Sequence, residues 1–200
     1  MKTIAKIALA AAALSITPVA VAQSDPMAKY RKKLMERGEA DYARAVTVLD
    51  DDMETIAIIS TERAGRTKGH IPMGEGDVML RAGINKETGA TLFQITASIG
   101  YWGDWRFYSL GSYSTPAGPV GVTPRVISRD VITCMAGCKY QETVAVDVDI
   151  QTLELIAASG EPWRFRFQGR GPVWNEEMNP AEVKALLAAV SRYKAGRGLS

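Results

Sequence analysis

Two cysteines, one histidine and a dense run of aromatic residues are the side chains of this 200-residue sequence whose types and spacing suit chemistry. Cys134 and Cys138 flank Met135-Ala136-Gly137. In an exported chain such a pair reads as a structural disulfide. Closing so short a loop contributes only about 2 kcal/mol by chain entropy, so the bond would secure a hairpin tip and not the whole fold. The spacing is one residue longer than in thioredoxin-like sites, and no βαβ pattern surrounds it, which disfavours dithiol catalysis. Two thiolates also leave a zinc or copper site short of ligands unless His70 or carboxylates complete it.

His70 lies in Lys68-Gly69-His70-Ile71-Pro72-Met73-Gly74-Glu75-Gly76-Asp77, where a general base with Glu75 or Asp77 beside it would make a small hydrolase. An exposed loop histidine explains the same residue with less. A single histidine excludes multi-histidine metal centres and the two-histidine zinc helix. No serine stands in a Gly-x-Ser-x-Gly elbow, and no glycine is followed by lysine, so neither a triad nor a phosphate-binding loop is indicated. Asp50-Asp51-Asp52 with Glu54 lacks the spacing and turn glycine of a calcium loop. Asp147 and Asp149 share a strand parity that would suit paired carboxylates, but Asp149 is also placed to cap a helix. No metal and no cofactor is expected.

The aromatic run is Tyr101, Trp102, Trp105, Phe107, Tyr108 and Tyr113, with Gly100 and Gly103 among them. Trp105 and Phe107 alternate as the core face of a strand, which leaves Tyr101 and Trp102 at the bend as the candidate platform for a sugar or peptide.

Several elements must position these groups. Asp25-Pro26 opens a basic helix carrying Lys29, Arg31, Lys32, Lys33 and Arg37, read as a solvated N-terminal tether over 23–49, with a second weakly helical stretch from Asp41 to Val48. Thr55 to Ile59 is a β-branched buried strand, and Ala64 to Asp77 is a glycine-rich loop. Val78–Ile84 and Ala90–Gly100 form a hairpin about Asn85 to Gly89; in its second arm Phe93, Ile95, Ala97 and Ile99 face a core while Leu92, Gln94, Thr96 and Ser98 face water. Trp105 to Ser114 reads as the next strand, broken by Ser114 to Pro119. Val126–Thr133 and Lys139–Val148 then make a second hairpin carrying the cysteines. A short helix follows from Asp149 to Ala158, then a strand at Trp163–Phe167 with three aromatics on one face. Asn179, Pro180 and Glu182 open an amphipathic helix over 180–195, with Val183, Leu186, Leu187, Val190 and Tyr193 on its apolar stripe. The fold class is therefore α+β, a mainly antiparallel sheet or sandwich in a single β-rich domain over 50–200, with a short N-terminal helix and an amphipathic C-terminal helix.

Residues 1–22 set Lys2 and Lys6 before an apolar run and end on Ala20-Val21-Ala22, the pattern of a cleaved signal peptide. The product is expected in the periplasm, with secretion as the alternative, and without a transmembrane segment. Loss of Lys2 and Lys6 takes the 24 basic residues to 22, against 22 acidic. A neutral mature chain gives no electrostatic reason to bind nucleic acid.

The segments Gly103-Asp104-Trp105-Arg106-Phe107-Tyr108, Ser128-Arg129-Asp130-Val131, Cys138-Lys139-Tyr140-Gln141-Glu142 and Pro162-Trp163-Arg164-Phe165-Arg166 resemble uncharacterised exported proteins of Gram-negative bacteria. The resemblance implies a periplasmic protein and no particular activity. Two functional readings follow: a non-catalytic envelope scaffold that binds a cell-wall glycan, a peptide or an envelope protein through Tyr101 and Trp102, and the small hydrolase built on His70.

Overall fold

A computed structural model describes residues 28–61, 76–135 and 137–199, with side chains from residue 32 onward. The leader, His70 and Glu75 lie outside the described residues. The β-branched run forms β2 (Ile56–Ser60), and the first hairpin forms β3 (Asp77–Asn85) and β4 (Thr91–Trp102), turned at Gly89 with its positive φ of 73°. The second hairpin forms β7 (Arg125–Cys134) and β8 (Cys138–Val148). With β1 (Thr47–Leu49) they make a six-stranded sheet in the order β1-β2-β3-β4-β8-β7. A four-stranded sheet in the order β10-β9-β5-β6 contains β5 (Leu110–Thr115), β6 (Gly118–Val122), β9 (Trp163–Gln168) and β10 (Trp174–Met178). Every pairing in both sheets is antiparallel. The protein is thus α+β, dominated by antiparallel sheet.

One core joins the inner faces of both sheets. Phe93, Ile95, Ala97 and Ile99 of β4 share it with Val144, Val146 and Val148 of β8, and Trp163, Phe165 and Phe167 close it from β9. Two helices complete the core. The first, α3 (Ile150–Ser159), is capped by Asp149, whose carboxylate accepts from the Thr152 amide at 2.7 Å, and it stops at Gly160 in the left-handed region. The second, α4 (Pro180–Arg197), buries Val183, Leu186 and Val190. Its cap Asn179 accepts from the Ala181 amide, but Glu182 turns from the capping box to accept from the Thr61 hydroxyl at 2.6 Å.

The N-terminal elements are docked on this unit. The amide of Asn179 donates to the carbonyls of Leu34, Met35 and Arg37 at the end of α1 (Ala28–Met35), and the Tyr42 hydroxyl donates to the Leu34 carbonyl at 2.8 Å. These helix-end carbonyls thereby gain side-chain partners, that of Leu34 in addition to the Arg37 amide, and Leu34 is buried. The helical pattern expected over Asp41–Val48 resolves into α2 (Glu39–Ala43) followed by β1, because Thr47 and Val48 can pair with β2 and β-branched residues fit a pleated edge. The expected wet face of β4 is also corrected. Gln94 and Thr96 are buried, Gln94 under a polar ladder in which Arg81 donates to it at 2.7 Å and it donates to Asp147 at 2.7 Å.

The acidic run serves the C-terminus. Asp50 pairs with Lys86 at 2.6 Å and with Arg197, and accepts from the Tyr193 hydroxyl at 2.9 Å. The Lys86 hydrogen bond is the largest influence holding its carboxyl down at about 2; the Tyr193 and Arg197 hydrogen bonds add to it, against a smaller opposing effect of desolvation. A depressed carboxylate stabilises the fold fully above its unfolded value near 4 and loses that contribution as pH falls toward the folded value. The difference in melting temperature between the protein and Asp50→Asn should therefore shrink as pH drops from about 4 to about 2. A constant difference across that range would show that the Asp50 clasp is not what the substitution removes.

Candidate binding site

At its C-terminal end β4 leaves the six-stranded sheet. Gly103, with φ of 109°, makes the turn, and its amide donates to the Cys138 carbonyl at 3.2 Å. Residues 103–109 then cross to β5 as an irregular segment, not as the strand expected from Trp105 onward. The reason is Glu142. It lies on the inner face of β8, opposite Ile99 of β4 and Arg129 of β7, with no solvent exposure. Its carboxylate accepts from the Arg106 amide at 3.2 Å, the Phe107 amide at 2.9 Å and the Tyr108 amide at 3.3 Å. Three successive amides can converge on one anion only if the chain abandons strand alternation. Phe107 accordingly takes a φ of 50°, the only positive value at a non-glycine residue among the described residues.

The remaining acceptor capacity of Glu142 is filled by the Tyr101 hydroxyl and by Arg129 Nε at 3.2 Å. Burial pushes the carboxyl up, but the Tyr101 hydroxyl, the Arg129 guanidinium and the Phe107 and Tyr108 amides together hold it below the usual carboxylate range. The Tyr101 phenol is pushed the other way, by burial first and by the adjacent carboxylate second, so it stays a proton donor. From the far side the chain is clamped at Gly169, where a Cβ would lie 2.2 Å from the Arg106 carbonyl oxygen, and by the Arg170 amide, which donates to that same oxygen.

Above this buried anion stands a half-buried layer of rings and guanidinium groups. The Trp105 and Tyr140 ring centres are 4.4 Å apart, and Trp105 and Phe107 are 6.3 Å apart. Arg129 and Arg170 stand over Phe107 at 4.8 and 4.9 Å, while Arg106 stands over Tyr101 at 4.3 Å and donates to the Tyr108 hydroxyl at 3.1 Å. Of the three guanidinium groups only that of Arg129 pairs with the buried carboxylate, while those of Arg106 and Arg170 lie over rings. This arrangement offers planar cations and aromatic faces for non-covalent recognition. Glu142 is already occupied by five donors and has no open side from which to move a proton to a ligand.

The residues singled out from sequence fall in different places. Tyr101 is 2% exposed and serves Glu142, whereas Trp102 is 43% exposed. Strand alternation sends them to opposite faces: Tyr101 pairs with Tyr140 on the inner side and Trp102 with Lys139 on the outer. Cys134 and Cys138 are joined as a disulfide at the β7–β8 turn, next to Trp102, whose ring comes within 3.9 Å of where a Gly137 Cβ would sit. Asp77 is buried at the start of β3. Asp147 is held by Arg125 at 2.8 Å and by Gln94, and Asp149 caps α3, so the two are occupied separately. No group of three or more metal-ligating side chains occurs among the described residues.

Sequence reasoning missed Glu142, Arg106, Arg129 and Arg170. Glu142 did carry a signal, because it shares the parity of Val144, Val146 and Val148 and so puts a carboxylate on the apolar face of its strand. A concavity of about 670 Å³ on the outer face of the four-stranded sheet is lined by Ser112, Ser114, Arg164 and Arg166. Its arginines already pair across strands, Arg164 with Glu177 and Arg166 with Asn175, each at 3.1 Å. Fold and site together define an α+β protein with a cationic, aromatic surface organised over an internal carboxylate. Comparison of the chain with protein-family models, with curated proteins and with solved structures finds no match.

Proposed function

We propose that this is an exported periplasmic envelope protein that works by binding and not by catalysis, and that its ligand is a carboxylate-bearing cell-wall glycan. The observation that carries the reading is the placement of Arg129 and Arg170 on the half-buried Phe107, beside Trp105 and Tyr140, with Arg129 alone of the two paired to the buried Glu142. Guanidinium groups pair with carboxylates, and aromatic faces take the apolar faces of sugar rings. Trp102, on the opposite face of β4 at the same strand end, is a second and more exposed stacking face. Export rests on the leader pattern, and the disulfide is compatible with an oxidising compartment. Among the described residues no helix is long and apolar enough to cross a membrane. The hydrolase reading gains no support, since His70 and Glu75 lie outside the described residues and Asp77 is buried in β3.

The test is retention on purified cell wall. The protein should be retained in low salt and released as ionic strength rises. Trp102→Ala should abolish retention and Arg170→Gln should weaken it by about tenfold, the scale of one charge-assisted contact, both at unchanged melting temperature. Unchanged retention in both variants would remove this surface from the account.

A further inference from the structure

We propose that β7 is a self-pairing edge, and that two copies of the chain join through it as an antiparallel dimer with the two-fold axis at Arg129. The strand is ten residues long, ends the six-stranded sheet, and among the described residues pairs on one side only, with β8. Long exposed edges invite strand addition, and natural sheets usually blunt them with short length, charge or proline. The other edges are blunted in this way: β1 has three residues, β6 contains Pro119, and β10 carries Glu176 and Glu177. Strand β7 carries Arg129, Asp130 and two bulges, yet it also exposes Val126 at 44%, Ile127 at 47%, Val131 at 55% and Ile132 at 50%.

Its sequence also specifies the partner. Val126-Ile127-Ser128-Arg129-Asp130-Val131-Ile132 is a palindrome of chemistry about Arg129. Antiparallel pairing about that residue sets Val126 against the partner's Ile132, Ile127 against the partner's Val131, and Ser128 against the partner's Asp130. Apolar thus meets apolar, and a hydroxyl meets a carboxylate whose bond within the chain is to Ser128, at 2.8 Å. Directly opposed residues must share a sheet face, and a two-fold axis through one residue satisfies that parity while making the contact isologous. Arg129 meets its own copy at the axis, but its guanidinium is turned inward onto Glu142 and Phe107, so each positive charge is balanced within its own chain. The bulges at Ile127 and Ile132 leave Ser128 to Val131 as the regular centre, so the Ser128–Asp130 and Arg129 pairs set the register and the apolar residues close over the bulged ends. This pairing stands whether or not the surface over Glu142 binds a glycan.

Sedimentation equilibrium of the protein and two exposed-site variants tests it. The protein should show a reversible monomer–dimer equilibrium. Val131→Lys, which by symmetry sets two charges against apolar partners, should weaken dimerisation by at least about tenfold. Ser128→Lys, which sets a lysine opposite the partner's Asp130 twice, should strengthen it by roughly fivefold. Each variant is checked for an unchanged circular dichroism spectrum, and Ser128→Lys keeps the test alive if Val131→Lys does not fold. A protein that stays monomeric at all concentrations overturns the proposal. A dimer insensitive to Val131→Lys, or one that Ser128→Lys fails to strengthen, overturns it equally.

Discussion

Glu142→Gln should destabilise the protein by about 3 kcal/mol, the lower part of the range for removing one partner of a buried ion pair, since Arg129 on the other side is partly exposed. The glutamine keeps the shape of the side chain but loses the negative charge that five donors share. Its own amide hydrogens must then face some of those donors across a dry site, where unsatisfied groups cost the most. Arg129→Gln should cost less, about 1 kcal/mol, because the carboxylate keeps the Tyr101 hydroxyl and the three amides. The folded carboxyl sits below its ordinary value, so its contribution is complete above the unfolded value of about 4.3 and is lost as pH falls through the lower folded value. Urea unfolding at neutral pH and again in acid should therefore show the gap between the protein and Glu142→Gln narrowing on acidification. A loss under about 1 kcal/mol at neutral pH would mean that the segment is held by something other than Glu142.

The second large effect is expected at Gly169. Its side of the clamp is a matter of space, not of backbone freedom, because its φ is unexceptional and a Cβ would meet the Arg106 oxygen at 2.2 Å and the Phe107 oxygen at 2.8 Å. Both are backbone atoms of a segment fixed by Glu142, and neither can swing aside as a side-chain tip would. Gly169→Ala should cost about 3 kcal/mol, the upper range for overpacking, and should displace the Arg106 and Phe107 amides from the carboxylate. Gly121→Ala is the control, with nothing within 4 Å and no positive φ; it should cost under about 0.5 kcal/mol. Equal melting temperatures for the two variants would remove the clamp from the account.

These two residues also show where the sequence was legible and where it was not. Elements specified by local chemistry were read closely: the β3–β4 hairpin turned at Gly89, α3 between Asp149 and Gly160, the inward aromatics of β9, and the start of α4 at Asn179 and Pro180. The end of α4 falls at Gly198 and not at Gly196, since a glycine inside a helix weakens it without stopping it. Strands β6 and β10 gave no apolar run of their own; each is ordered by the neighbour that it pairs with. Trp105 to Ser109 alternates convincingly as a strand, yet a carboxylate about 35 residues later in the chain reorganises it. That override comes from a single long-range contact, and periodicity carries no record of it. For the site, the aromatic cluster is legible in the sequence, but Tyr101 and Trp102 fall on opposite faces of β4, and the arginines that give the surface its charge lie on three separate segments.

The most direct test of the binding account is an NMR titration of the four tryptophan indole N–H signals with soluble, carboxylate-bearing cell-wall glycan fragments. Trp105 lies in the proposed surface and Trp102 on the outer face of the same strand end, whereas Trp163 is wholly buried and its indole donates to the Ser114 carbonyl at 3.0 Å. Saturable shifts are expected at Trp102 and Trp105, suppressed by salt and by Arg170→Gln, with Trp163 unmoved. Shifts confined to Trp163 or Trp174, or no shift at any indole, would contradict it.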